Sequence, residues 1–171
     1  MSDFGSIISE LLSRFPSLFK IFLKKIYKLE VVKNRTIVDL ASNESAVKLQ
    51  LSDNGEVQIM VRIANYTPFD LKAQNMTFDI VWYGLNKKLR QTNYEIISKH
   101  SERTIFIREE LSRDNIDKII KALKQKQKID YLSYKIDFEN SLHSFQKTGS
   151  FNHMPLEVVN LEHVLKAKTD E

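Results

Sequence analysis

The chain has no cysteine. Disulfides, thiolate catalysis, cysteine zinc sites, palmitoylation and lipoprotein anchoring are therefore excluded. An N-myristoyl signal needs glycine at position 2, where Ser2 stands. Glycine is scarce, with 4 in 171 residues, and none falls in a P-loop, a dinucleotide fingerprint or a G-x-S-x-G elbow. Gly149, between Thr148 and Ser150, is no phosphate cradle. Long apolar runs are missing too. A spanning helix needs roughly 20 nearly uninterrupted apolar residues, and Glu10, Arg14, Lys20, Lys24 and Lys25 break the most apolar stretch. A secretory signal places basic residues first and a small-residue cleavage site last. Here Asp3 comes first and the lysines come last.

What is present suits one domain plus an appendage. Hydrophobic residues make up 42% of the chain, enough for a core, and charged residues 28%, which argues against global disorder. A net charge of +4 is too weak by itself to imply nucleic acid. The lysines Lys118, Lys121, Lys124, Lys126 and Lys128 lack interleaved aromatics and read as a solvated helix face. The four histidines, His100, His143, His153 and His163, show no pair at helical zinc spacing. His143 and His153 could meet only across a hairpin. No catalytic, cofactor or metal residue is assigned, so the expectation is a protein that is not an enzyme and uses no cofactor. Asn34, Asn43, Asn65 and Asn75 match the glycosylation acceptor pattern, which is cheap in an Asn-rich chain.

Residues 1–30 form a distinct segment. Phe4, Ile7, Ile8, Leu11, Leu12, Phe15, Leu18, Phe19, Phe22, Leu23, Ile26 and Tyr27 recur at spacings of three and four. That spacing predicts an amphipathic helix with Lys20, Lys24 and Lys28 on its other face. Pro16 removes a backbone donor and predicts a kink or two short helices. Such a helix suits a membrane interface, apolar side down and lysines toward anionic headgroups. Two alternatives stand beside it: packing on the chain's own domain, or docking on a protein partner or in an oligomer.

From residue 28 the period becomes two. Residues 28–40 predict a first strand, in one or two pieces, and 46–51 a second. Asn54-Gly55 is a strong hairpin signal leading to a strand through Val57, Ile59, Val61 and Ile63. A polar corner, 65–70, follows, with Pro68 setting the turn and Phe69 anchoring it in the core. The next strand runs through Leu71 and Ala73 and then shifts to Met76, Phe78 and Ile80. A one-residue change of face predicts a β-bulge near Gln74 or Asn75. Together, 56–84 read as the hairpin that shapes the domain. Residues 88–98 suggest an edge strand and 103–108 another strand. A helix through Ile116, Ile119, Ile120 and Leu123 follows, with Ser112 as N-cap. Residues 131–140 and 142–151 read as a closing hairpin. The tail, 156–171, reads as a helix, with an added strand through Leu156, Val158 and Val159 as the alternative. The fold class is thus mainly β: an antiparallel sandwich of about seven to eight strands over 31–155, with one inserted helix.

The run from Val57 through Asn65-Tyr66-Thr67-Pro68-Phe69-Asp70-Leu71, closing at Trp82-Tyr83-Gly84, resembles the late-embryogenesis-abundant type 2 family, the water-stress-and-hypersensitive domains. The likeness covers roughly residues 46–151. Tyr66-Thr67 departs from the proline and asparagine usual in the plant pattern. The resemblance implies an immunoglobulin- or fibronectin III-like sandwich without catalytic residues, often tethered to membranes by an N-terminal segment. It also implies roles in stress protection or in binding lipids and other apolar ligands. The combined expectation is a cytoplasmic, peripherally membrane-associated protein that contacts a membrane surface, an apolar ligand or a protein partner. Its contact residues would be the apolar and lysine positions of the N-terminal segment. No nucleic acid is expected.

Overall fold

The computed structural model describes residues 16–41, 46–51, 55–82, 85–125, 131–151 and 156–159. Two helices come first, α1 (Pro16–Ile26) and α2 (Leu29–Asn34). Ten strands follow among the described residues, with α3 (Arg113–Lys124) between the seventh and the eighth.

The strands form two five-stranded sheets, each built along one long central strand. In the first sheet the centre is β3 (Gly55–Asn65). β7 (Ser101–Leu111) pairs along its whole length on one side. On the other side β1 (Thr36–Leu40) and β2 (Val47–Gln50) lie end to end. β10 (Leu156–Val159) extends this sheet beyond β2. In the second sheet the centre is β4 (Leu71–Trp82). β5 (Leu85–Gln91) and β6 (Glu95–Ile97) share one side of it. β8 (Tyr131–Glu139) takes the other side, and β9 (Ser144–Phe151) pairs outside β8.

Alternation decides which side chains meet between the sheets. Val57, Ile59, Val61 and Ile63 of β3 are 0–2% exposed, whereas Gln58, Met60 and Arg62 between them face outward and are half-buried. Leu71, Ala73, Met76, Phe78 and Ile80 line the facing side of β4. Both sets belong to one continuous buried core, the sandwich-like arrangement expected of two half-buried sheets.

Several expectations hold. The β4–β8 register shifts between Gln74 and Thr77, and Asn75 sits at a φ of 50°. The bulge keeps Ala73 and Met76 on the same inner face. Ser112 caps α3: its Oγ accepts the Asn115 N–H at 3.3 Å and its carbonyl accepts the Ile116 N–H at 3.0 Å. β8 and β9 form the closing hairpin. β5 and β6 pair only with β4 among the described strands, so they edge the second sheet.

Other expectations are corrected. Residues 56–84 are no hairpin. β3 belongs to the first sheet and β4 to the second, so the polar corner carries the chain from one sheet to the other. Alternation fixes the face of each strand but not its neighbour, which is why the two readings look alike in sequence. Residues 28–40 are not all strand, because 29–34 form α2 before β1 starts at Thr36. Val31 and Val32 favour a strand by local preference, yet complete burial of Val32 and contacts from β9 hold the turn helical. In the tail, 156–159 form the added strand given as the alternative reading, and it runs parallel to β2, so the sandwich is not purely antiparallel. Residues 160–171 lie outside the described residues. The described residues alone hold ten strands where seven or eight were expected, because two positions beside the central strands are each filled by two short strands in line.

Candidate functional site at the N-terminal helix and the sheet-crossing corner

Of the expected contact residues, Phe4, Ile7, Ile8, Leu11, Leu12 and Phe15 lie outside the described residues. Pro16 is the first described residue of α1. The expected kink at Pro16 adjoins residues that lie outside the described set. Leu18 is within α1, but its side chain is outside the described set. Phe19 and Leu23 are half-buried. Phe22 is 57% exposed and Ile26 51%. Lys20, Lys24 and Lys28 are exposed. Phe19 and Phe22 tilt toward each other with ring centroids 6.5 Å apart. Two residues that periodicity left out join this surface: Ile21, 56% exposed, and Lys25. Both sit beside the apolar stripe, so strict three-and-four spacing does not select them.

The helix runs directly into the sandwich. Tyr27 N–H donates to the Leu23 carbonyl at 2.7 Å, extending the helical ladder by one residue. The Tyr27 ring meets Phe69 edge-on, with centroids 5.2 Å apart at 87°. His143 Nε2 lies 2.7 Å from the Tyr27 carbonyl oxygen. A carbonyl only accepts, so that nitrogen carries the proton. Two residues later α2 begins, and it is fixed more deeply. Val32 is fully buried, and Thr36 Oγ1 donates to its carbonyl at 3.0 Å. The Lys147 ammonium reaches in from β9 and donates to the carbonyls of Lys33 and Thr36. It thereby stabilises the C-terminal end of α2. Burial pushes the Lys147 amine below the usual lysine range.

The corner is organised by two residues to which the sequence reading gave no structural role. Asn65 and Thr67 are fully buried. Asn65 Nδ2 donates to the carbonyls of Phe69, Ile97 and Ser98 at 2.8, 3.1 and 3.1 Å. Its Oδ1 accepts both the N–H and the hydroxyl of Thr67, at 3.1 and 2.7 Å. One side chain therefore ties the sheet crossing to the β6–β7 connection. The available signal was an Asn two residues before a Thr in a turn, the Asx-turn pattern. Phe69, expected as the core anchor, is only half-buried and serves Tyr27 instead. Burial also removes Asn65 from the glycosylation candidates in the folded chain.

Elsewhere, polar groups are held in local structural contacts. Asp137 accepts from Gln146 at 2.7 Å and from Asn75 at 3.0 Å, which lowers its carboxyl below the usual range. Burial, with the charge of Asp39 adding to it, raises the Tyr134 hydroxyl. Among the described residues, no group of three or more His, Asp or Glu side chains converges to hold a metal. No described helix is long and apolar enough to cross a membrane.

No family model matches the chain, and no curated protein matches it. Solved structures do. The chain is similar to Northeast Structural Genomics Consortium target SoR45 at 10% identity and a TM-score of 0.47, covering 69% of this chain and 84% of that one. It is similar to a protein from Archaeoglobus fulgidus at 8% identity and a TM-score of 0.35, covering 69% and 93%. It is also similar to a protein described as late embryogenesis abundant, at 10% identity and a TM-score of 0.31, covering 86% and 83%.

Proposed function

We propose that the protein is a non-enzymatic module of the late-embryogenesis-abundant type 2 kind, an immunoglobulin- or fibronectin III-like sandwich held at a membrane surface by its N-terminal helix. The observation that carries this reading is the exposure of Ile21, Phe22 and Ile26, 51–57% each, on a helix that also bears Lys20, Lys24 and Lys25. Three large apolar side chains left in water on one short helix are a cost that a lipid interface removes. The lysines add attraction to anionic headgroups. The sandwich then acts as a cytoplasmic element for binding lipid or a protein partner, with no cofactor.

The test is flotation with vesicles containing phosphatidylserine. The full chain is expected to float, and the double variant Phe22→Glu/Ile26→Glu to stay in solution. Equal partitioning of the two would sink the proposal. A second reading, a soluble stress-protective protein whose N-terminal segment covers its own sandwich, draws support from the burial of Val32 on α2. Hydrogen exchange separates the two. Strong protection of 16–26 in lipid-free monomer favours covering, and fast exchange favours an exposed docking helix.

A further inference from the structure

We propose that the sheet-crossing corner is a second membrane contact, so that the sandwich stands with this end on an anionic lipid surface. This rests on the lipid-facing role of α1. Its starting point is the absence of a spacer. The helical ladder of α1 reaches Tyr27, and the Tyr27 ring already lies against Phe69 of the corner. The His143 contact fixes the same residue from the β8–β9 turn. A flexible linker would let the domain hang free of the surface. With none, a helix lying in the interface brings the corner with it.

The corner is suited to that position. Tyr66 is 52% exposed, an aromatic with an apolar body and a polar end, the residue type that settles at headgroup level. Its N–H donates to the Arg35 carbonyl at 2.9 Å, and the next residue's carbonyl accepts the His100 N–H at 3.3 Å. Tyr66 therefore sits between exposed Arg35 on one side and exposed Lys99 and His100 on the other. Lys28 is exposed at the junction with α1. Acidic residues share this end: Glu102, beside the β7 residue that pairs with Asn65, lies 3.8 Å from Arg62, and Glu139 of β8 stands opposite Lys72. Asp70 accepts the Lys99 N–H at 3.0 Å, and Glu30 pairs with Lys33 at 3.6 Å. Beside Tyr66 itself, exposed Arg35 and Lys99, with Lys28 at the junction, stand against exposed Asp70 and Glu102, and Glu102 is paired with Arg62; that local balance is complementary to an anionic leaflet. The Asn65 hydrogen bonds to Thr67 and to the Phe69 carbonyl fix the backbone that carries Tyr66.

Because the chain lacks cysteine, single labels can be placed cleanly. Full-length Phe22→Cys, Tyr66→Cys and Lys121→Cys would each carry an environment-sensitive fluorophore. Each would be mixed with phosphatidylcholine vesicles with and without phosphatidylserine. Lys121 is exposed on α3, which packs through Ile116 near Gly55, at the other end of β3 from Asn65. With phosphatidylserine, blue shifts are expected at positions 22 and 66 and none at 121. A shift at 22 alone overturns the corner contact and leaves the helix reading intact. A shift at none of the three overturns both. Equal shifts at all three mean unspecific adsorption and overturn the corner contact. Arg35→Gln and Lys99→Gln are each expected to weaken partitioning about five-fold, the effect of one basic residue near such a surface. No weakening in either would count against the proposal.

Discussion

α1 and α2 are neighbours in the chain, and both carry apolar residues and lysines, yet they meet opposite fates. α2 spans six residues and is fully committed to the fold: Val32 is buried, a threonine hydroxyl and a lysine ammonium satisfy its carbonyls, and β1 follows at once. α1 is nearly twice as long, yet its Ile21, Phe22 and Ile26 remain in solvent. Apolar residues are common to both, so their presence cannot say what they pack against. What separates them is the partner supplied by the rest of the chain. β9 and the β8–β9 turn provide Lys147 and His143 for 27–36, and no described strand does the same for 16–26.

The strongest way to break this contrast is one charge on each helix. Val32→Asp places a carboxylate in the core without a partner and is expected to lower stability by about 4 kcal/mol or more. Phe22→Asp changes a solvent-facing side chain and is expected to stay within about 0.5 kcal/mol. Urea denaturation of both variants checks it. A large loss for Phe22→Asp would mean that α1 is packed on the sandwich after all.

The corner comes next, because it holds Phe69 and hence Tyr27 in place. Asn65→Ala removes the donor to three carbonyls and the acceptor for Thr67. The expected loss is about 3 kcal/mol, since each buried group left without a partner costs about 1–3 kcal/mol. Asn65→Asp is expected to do no better, because it keeps the acceptor for Thr67 but turns a charged oxygen toward the carbonyls. Thermal unfolding of the pair tests this, and recovery by Asp would overturn the assignment of the donating side.

Much of this contrast was legible in the sequence, and some was not. The strand faces, the bulge at Asn75, the Ser112 cap and the closing hairpin follow from local rules: alternation, a change of face, a capping hydroxyl. The sheet crossing did not follow, because two strands joined by a corner alternate identically whether they pair with each other or lie in different sheets. Nor did α2, whose valines favour extended chain until the sandwich buries one of them. The corner site was half-seen. Pro68 and Phe69 stood out by type, while the polar pair that organises the turn, Asn65 and Thr67, looked like ordinary loop residues. Their importance comes from burial, which only the assembled sheets create.

A smaller effect sharpens the junction. Tyr27→Ala loses the edge contact with Phe69 and part of a half-buried ring, and is expected to cost about 1–2 kcal/mol. Hydrogen exchange in lipid-free protein should then quicken in 29–34 while leaving 16–26 unchanged. If both segments quicken together, α1 and α2 form one cooperative unit and the contrast between them fails.

The smallest effect is a slope, and it turns on the charge that distinguishes the two helix ends. Lys24 and Lys25 at the end of α1 are exposed, whereas burial lowers the pKa of Lys147 at the end of α2. Between the lowered folded value and the ordinary lysine range, the unfolded chain holds more protons than the folded one, so this residue makes stability rise with pH. Tyr134 acts in the opposite sense. Its raised folded value means that the unfolded chain loses its proton first, so its contribution falls as pH climbs past the ordinary tyrosine range. The net alkaline slope mixes the two, and only a difference between variants isolates the lysine. Lys147→Met is expected to cost about 1 kcal/mol at neutral pH through loss of the carbonyl contacts at the α2 terminus. That deficit should widen toward alkaline pH, because the variant lacks the rising term. A Lys147→Met deficit that stays constant with pH would show that the ammonium is as well solvated at the end of α2 as Lys24 is at the end of α1.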